Sequence, residues 1–434
     1  MKILELTASE FCDSVRDGTH DSPKPVEGDG KPLVTTRHMK SGNINLDDAY
    51  LISKPDFDKV NERSQVHQWD VLISMIGTLG ELVLVKNKPT YAIKNIGLFK
   101  TKSKYDGMWL YYYLNSPLAK NFMRTSAQGS TQQYLSLKTL RSFPILVPES
   151  ENNKRAICEI LSSIDDKIAL NQNMNQTLEE IAKAIFKSWF VDFDPVRAKA
   201  EGRPTGLPPE ISDLFPSELV DSEIGEIPKG WGLKPIYDLG EFINGAVYKK
   251  FEPNKEGLGL PIVKIAELKS GVTDQTGFST VDMGEKYLVQ KRDILFSWSG
   301  NPDTSIDIFV WQRDNAWLNQ HIFKVVPKED VSRSFLLQLL KSKKPVFTEI
   351  ARNKQTTGLG HVTVKDLKEM EIAIPPLTAF DAALQILSDL QDRIFVGMQE
   401  SLCLSELRDT LLPKLISGEL RIPDAEKFLQ EAGI

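Results

Sequence analysis

The chain has 434 residues, 41% of them apolar and 26% charged, with a formal net charge of −6. This is ordinary soluble usage with enough length for several cores, and no apolar run approaches the roughly 20 residues that a membrane-spanning helix needs. The charge excludes a strongly basic nucleic-acid binder of the kind that grips DNA by electrostatics alone.

The first residues, MKILELTASEF, lack a basic stretch followed by an apolar core, which predicts no signal peptide and a cytoplasmic protein. Cys12, Cys158 and Cys403 are far apart and outside any C-x-x-C pattern, so disulfides and zinc are both disfavoured. Residues 1–150 carry 19 basic and 16 acidic side chains, net +3, and residues 231–377 carry 20 and 18, net +2. The acidity lies in the remaining pieces, 151–230 and 378–434, so two mildly basic regions alternate with two acidic ones.

Along residues 1–150, short apolar runs such as 70–75 and 81–86 are bounded by glycine and polar turns and read as strands. Residues 107–124 read as helical, interrupted by Pro117, which predicts a split into a helix-turn-helix hairpin. Residues 151–189 then place Ile157, Leu161, Ile164, Ile168, Asn171, Asn175, Leu178, Ala182, Ile185 and Trp189 on a 4-3-4-3 spacing. That is a coiled-coil seam on a helix of about 59 Å, with two asparagines in its middle. Residues 194–235 mix seven prolines with five glycines and predict a connector laid over the surface.

The remainder repeats the first part. PLVTTRHMKSG (32–42) matches PIVKIAELKSG (261–271) at an offset of 229, DVLIS (70–74) matches DILFS (293–297) at 223, and LSLKTLRSFPILVP (135–148) matches VTVKDLKEMEIAIP (362–375) at 227. Pro345 interrupts a second helical stretch, 333–351, as the counterpart of Pro117 within the same range of offsets. A second seam runs Ala383, Leu387, Leu390, Ile394, Gly397, Ser401, Leu404, Arg408, Leu411 and Leu415, again with small or polar residues in its middle. Gly418 stops that helix and residues 425–433 suggest a short amphipathic tail. The chain is therefore a duplicated globular unit followed by a long helix. Matching the polar middles of an antiparallel pair sets Asn171 opposite Ser401, Asn175 opposite Gly397, and Ile164 near Arg408, whose stem must then reach outward.

No catalytic constellation emerges. There is no G-x-x-x-x-G-K-[ST] phosphate loop and no H-E-x-x-H helix, and Gly257-Leu-Gly259 is too short a pattern for a dinucleotide site. Asp194-Pro195-Val196 and Asn301-Pro302-Asp303 lack the second proline and the aromatic of an adenine-methyltransferase loop, and the histidines at 20, 38, 67, 321 and 361 have no ligand spacing. The expectation is a non-enzyme with no metal of its own. A coiled-coil scaffold that never touches nucleic acid satisfies these features as well as a recognition protein does.

Residues 185–231, IFKSWFVDFDPVRAKAEGRPTGLPPEISDLFPSELVDSEIGEIPKGW, closely resemble the central region of type I restriction-modification specificity subunits. LRDTLLPKLISGELRI (407–422) resembles the distal region of that family, and Asp17-Gly-Thr-His20 is similar to its opening. The resemblance implies an α+β chain: two mixed α/β target-recognition domains, 1–150 and 231–377, joined by two long helices, 151–193 and 378–417, that form an antiparallel intramolecular coiled coil. Residues 194–230 are then the linker and 418–434 the C-terminal tail. Each domain would read one half of a bipartite, asymmetric double-stranded DNA target, with the helices setting the gap. Two methyltransferase subunits carrying S-adenosylmethionine would dock on it, and motor-nuclease subunits using ATP and Mg2+ would join for cleavage.

Candidate base-reading residues lie in a polar loop before the repeated strand of each unit: Ser126, Gln128, Ser130, Thr131, Gln132 and Gln133 in the first, Asn353, Lys354, Gln355, Thr356, Thr357 and His361 in the second. Side-chain amides can pair bidentately with adenine, lysine can donate to guanine, and a threonine methyl can touch thymine. Thr35, Thr36, Arg37 and His38, with Lys264 and Lys269 in the second unit, are candidates for phosphate positioning. Glu179, Lys183 and Lys187, with Trp189, Phe190 and Phe193 at the helix end, are the expected partner-docking residues.

Overall fold

The computed structural model describes residues 2–40, 42–129, 133–355, 358–431 and 433. The chain divides into two compact units, Met1–Ala169 with Leu402–Ile434, and Leu170–Ser401. Each unit holds one recognition region together with a half of each long helix.

In the first unit a four-stranded antiparallel sheet runs in the order Ser14–Asp17, Ile96–Lys100, Val71–Ser74, Leu82–Leu84. Both faces of Val71–Ser74 are buried, which is why its sequence is a continuous apolar run rather than an alternation. A smaller sheet sets Lys31–Val34 between Leu51–Ile52 and Ala92–Ile93, the latter parallel. Ser116 alone separates the helices Lys104–Asn115 and Pro117–Ser126; its hydroxyl accepts from the Ala119 N–H at 3.3 Å, and Pro117 occupies the first turn, where no N–H is needed. The unit closes on a ladder of Ile3–Thr7 with Pro144–Pro148, and the first long helix, Glu151–Phe190, begins just after it.

The second unit repeats this plan. Its larger sheet runs Gly240–Asn244, Ile322–Pro327, Ile294–Ser297, Asp307–Val310, the same order shifted by one duplication. Leu260–Val263 again pairs in parallel, with Ala316–Leu318, and Gly232–Pro235 pairs with Glu371–Ile374 just ahead of the second long helix, Asp381–Ser417. The helix hairpin is Arg333–Ser342 and Lys344–Asn353, broken beside Pro345. Backbone peculiarities are duplicated too. Trp69 and Arg292, equivalent positions in the repeat, both have φ of 74°. Each precedes an aspartate, Asp70 or Asp293, whose carboxylate accepts from the backbone N–H of a nearby preceding residue, His67 at 2.7 Å or Gln290 at 2.8 Å. The glycine of the Asp17-Gly18-Thr19-His20 motif has a twin in Gly245: a Cβ would lie 2.5 Å from the Ile93 oxygen at Gly18 and 2.0 Å from the Asn319 oxygen at Gly245.

Within the first unit, Ile157, Leu161, Ile164 and Ile168 of the first long helix share one core with Leu404, Leu411 and Leu415 of the second. Arg408 donates to Asp165 at 2.8 Å, and Asp165 also accepts from the Tyr112 hydroxyl at 2.8 Å. The Arg408 head is thus held between Asp165 and the exposed Asp409, half-buried at the edge of the seam. Within the second unit, Ala182 and Phe186 share a core with Ala383, Leu384 and Leu387. There Asn171 donates to Glu400 at 2.8 Å, adjacent to the Ser401 that the polar-middle register names, and Gly397 lies against Asn175, whose Oδ1 a Cβ at Gly397 would meet at 2.6 Å. In the second unit rising numbers on the first helix, 171 and 175, meet falling numbers on the second, 400 and 397, so the pairing there is antiparallel.

Two expectations are corrected. The connector carries short helices, Asp194–Ala200 and Pro209–Ser212, but it is not merely laid over the surface: Val196, Ile211, Phe215 and Ile227 enter the core of the second unit. Trp189, Phe190 and Phe193 are the reason. They are buried against Phe215, Trp231 and Phe380, with Trp189–Phe215 ring centroids 5.9 Å apart and Phe193–Trp231 5.4 Å apart, so they cannot present a docking surface. Aromatics crowded at a helix end read alike whether they face a partner or the chain's own connector.

Candidate nucleic-acid interface

In the first unit the polar loop is closed by reciprocal backbone bonds between Gln128 and Tyr134, 2.9 and 2.8 Å. It is fastened to the sheet by the Leu135 N–H on the Met75 carbonyl at 2.9 Å. Ser126, at the end of its helix, is half-buried, whereas Gln128 and Gln133 are exposed; Ser130, Thr131 and Gln132 lie outside the described residues. In the second unit the corresponding bond runs from the Val362 N–H to the Trp298 carbonyl at 2.8 Å, and His361 pairs with Ser299 in a two-rung ladder. Asn353 and Gln355 are exposed and His361 half-buried, and Thr356 and Thr357 lie outside the described residues. Lys354 is committed elsewhere, its ammonium 2.5 and 2.7 Å from the two oxygens of Asp366, so its expected role as a free donor to guanine is corrected.

The candidates for phosphate positioning divide. Arg37 is exposed and donates to the Asp48 carbonyl at 3.1 Å, and Thr35 and Thr36 are half-buried beside it. His38 is enclosed, its Nδ1 accepts from the Thr35 N–H at 2.8 Å, and burial pushes its pKa below the usual value; a neutral, hidden imidazole offers a phosphate nothing, which corrects that assignment. Lys264 lies over the Tyr248 ring at 5.2 Å and beside Glu267 at 3.7 Å, and Lys269 donates to the Thr304 carbonyl, so both cations are partly engaged within the unit. Glu179 accepts from Lys341 at 2.6 and 2.7 Å and is an internal ion pair, while Lys183 and Lys187 are exposed, the latter paired with Asp192.

The sequence reading overlooked the second loop that each polar loop is bonded to. In the first unit it is Met75-Ile76-Gly77-Thr78, where Ile76 forms an antiparallel bridge with Tyr134. In the second it is Trp298-Ser299-Gly300, and the Trp298 ring lies 5.4 Å from that of His321. The signal was present: Gly77 and Gly300 are related by the same offset as the strands just before them, and both have positive φ, 83° and 122°. Also overlooked was a line of exposed apolar side chains on the first long helix, Leu170, Met174 and Ile181.

Residues 7–180 and 228–399 each match the type I restriction modification DNA specificity domain. The chain belongs to that family. Two copies of the specificity domain account for the duplication, and each match extends well into a long helix. The chain is 27% identical to the HindI specificity subunit of Haemophilus influenzae, over 69% of this chain and 73% of that one. It is 25% identical to the MjaIX specificity subunit of Methanocaldococcus jannaschii, over 82% and 78%. The crystal structure of the type I restriction-modification S subunit from M. genitalium shares its fold, with a TM-score of 0.53 at 16% identity over 95% of this chain and 96% of that one. Among the described residues of this specificity protein, no helix is long and apolar enough to cross a membrane.

Proposed function

We propose that this chain supplies the DNA sequence specificity of a type I restriction-modification complex, with residues 1–150 and 231–377 each reading one half of a bipartite, asymmetric target. The observation that carries this reading is the paired-loop surface. The same two loops follow the same strand in both units, joined by the same anchoring bond, Leu135 N–H to the Met75 carbonyl and Val362 N–H to the Trp298 carbonyl, and by a bridge at equivalent positions, with different outward side chains, as reading two different half-sites requires. The length of the long helices is then the determinant of the gap. Methyltransferase subunits dock on their exposed faces, where Leu170, Met174 and Ile181 of the first long helix form an apolar line and Lys183 and Lys187 lie exposed on the other side of the same helix. The chain is non-catalytic by itself: S-adenosylmethionine is bound by the modification subunits, and ATP and Mg2+ by the motor-nuclease subunits, in the cytoplasm.

Mapping methylated adenines in DNA from cells that express this chain with its modification partner tests the reading. The expected result is one two-part motif with a fixed gap, lost when the chain is deleted. Methylation that is unchanged by the deletion favours a scaffold without DNA contact and overturns the proposal.

A further inference from the structure

The bridged pair at the tip of the two loops differs in kind between the units. In the first it is Ile76 and Tyr134, 36% and 40% exposed. At the equivalent positions of the repeat the second unit has Ser299 and His361, bridged in the same way. The scaffold beneath shares its turn and its anchors: Gly77 and Gly300 both have positive φ, and buried Leu135 and Val362 anchor the polar loops. Ser74 donates to the Thr78 carbonyl and accepts from the Glu81 N–H at 2.8 Å, bonds that the buried hydroxyl of the equivalent Ser297 does not make. A purely structural role would keep the outward pair apolar in both units or polar in both. An isoleucine on an otherwise polar tip gains nothing from water, and residues directly opposite across a bridge present their side chains on one face.

Resting on the proposed DNA-reading function, we propose that Ile76, backed by Tyr134, is a specificity determinant that receives a thymine 5-methyl group in the major groove of the first half-site. Gln128, bridged to Tyr134, and Gln133, next to Tyr134 in the chain, are both exposed and carry amide donors suited to the O4 acceptor beside that methyl. The second unit, with a serine and a histidine at these positions, reads hydrogen-bonding groups there instead.

The test uses the full chain assembled with its modification subunits, acting on duplexes that carry the mapped target with each thymine replaced in turn by deoxyuridine, which removes only the methyl. One thymine, in one half-site only, is expected to slow methylation about four-fold when replaced, the worth of one buried methyl group. Ile76→Ser should abolish that sensitivity and Ile76→Val keep it, with deoxyuridine effects in the other half-site unaltered. A wild-type complex indifferent to every deoxyuridine, or a sensitive thymine whose effect survives Ile76→Ser, overturns the assignment. A wild-type complex that methylates no two-part target at all fails differently, by removing the function on which the assignment rests.

Discussion

Asp366 shows how one side chain settles the fate of a neighbour that its type alone would misassign. Lys354 sits in a polar loop where a lysine suggests a base contact, yet Asp366 takes its ammonium and also accepts from the Thr363 N–H and hydroxyl, both at 2.6 Å, at the start of the helix Val364–Glu369. Burial alone would push the Asp366 carboxyl up; Lys354 and Thr363 together reverse this and hold it below its ordinary value of 3.8. A carboxyl that loses its proton more readily in the folded than in the unfolded chain contributes stability that is complete above the unfolded value. That contribution drains away as the pH falls from there through the depressed one. Asp366→Asn is therefore expected to cost about 1 kcal/mol at pH 7, the usual worth of a helix cap, with the gap to wild type narrowing towards pH 3 in denaturant unfolding. A gap that stays constant with pH would mean that shape rather than charge does the capping. No lysine in a single sequence announces such a partner in a later helix, which is why the polar loop was legible but its free donors were not.

The long helices were the most legible elements, because a 4-3-4-3 seam is a property of sequence spacing that needs no tertiary knowledge. Seam positions Ile157, Leu161, Ile164 and Ala182 on one helix and Ala383, Leu387, Leu411 and Leu415 on the other are buried, although Cys158, Ile160, Phe186, Leu384, Leu412 and Ile416, outside the seam, are buried as well. The repeat at offsets of 223 to 229 likewise made the strand order of one unit a guide to the other. Illegible were contacts set by three-dimensional closure: the aromatics at the end of the first long helix turned onto the connector, and Asp165, outside the seam, captures Arg408 within it. The latter contact is partly buried, with side-chain exposures of 17% and 29% for Asp165 and Arg408. Arg408→Ala is expected to cost about 2 kcal/mol, since it strands a carboxylate that retains only the Tyr112 hydroxyl. Adding Asp165→Ala to it should cost far less than the two single changes together, because the carboxylate stranded by the loss of Arg408 is then gone. Strict additivity in thermal unfolding of the four variants would show that the pair is incidental to the helix seam.

For the whole molecule, charge is the quantity that sequence and function have to reconcile. The recognition regions carry only +3 and +2, and the structure engages several of their cations internally: Arg63 with Asp17, Lys344 with Asp307, Arg352 with Asp303, and Lys354 with Asp366. Basic and acidic side chains so nearly balanced give only a weak net field for displacing counterions from a phosphate backbone, and the acidic helical regions oppose the approach of DNA. Specific reading by paired loops then requires that most of the backbone grip come from the modification subunits. The purified chain is accordingly expected to bind duplex DNA only in the range of roughly 10⁻⁴ to 10⁻⁶ M at physiological salt, with a shallow dependence on salt and no preference for its own target. It should turn over no S-adenosylmethionine. Adding the modification subunits should tighten binding to the target by at least about a thousand-fold over other sequences, and steepen the salt dependence as more phosphates are neutralised. Titration of labelled target and scrambled duplexes at several salt concentrations reads all of these at once. Tight, target-specific binding by the chain alone would show that its own surface supplies the grip and that its modest charge is concentrated where DNA lies.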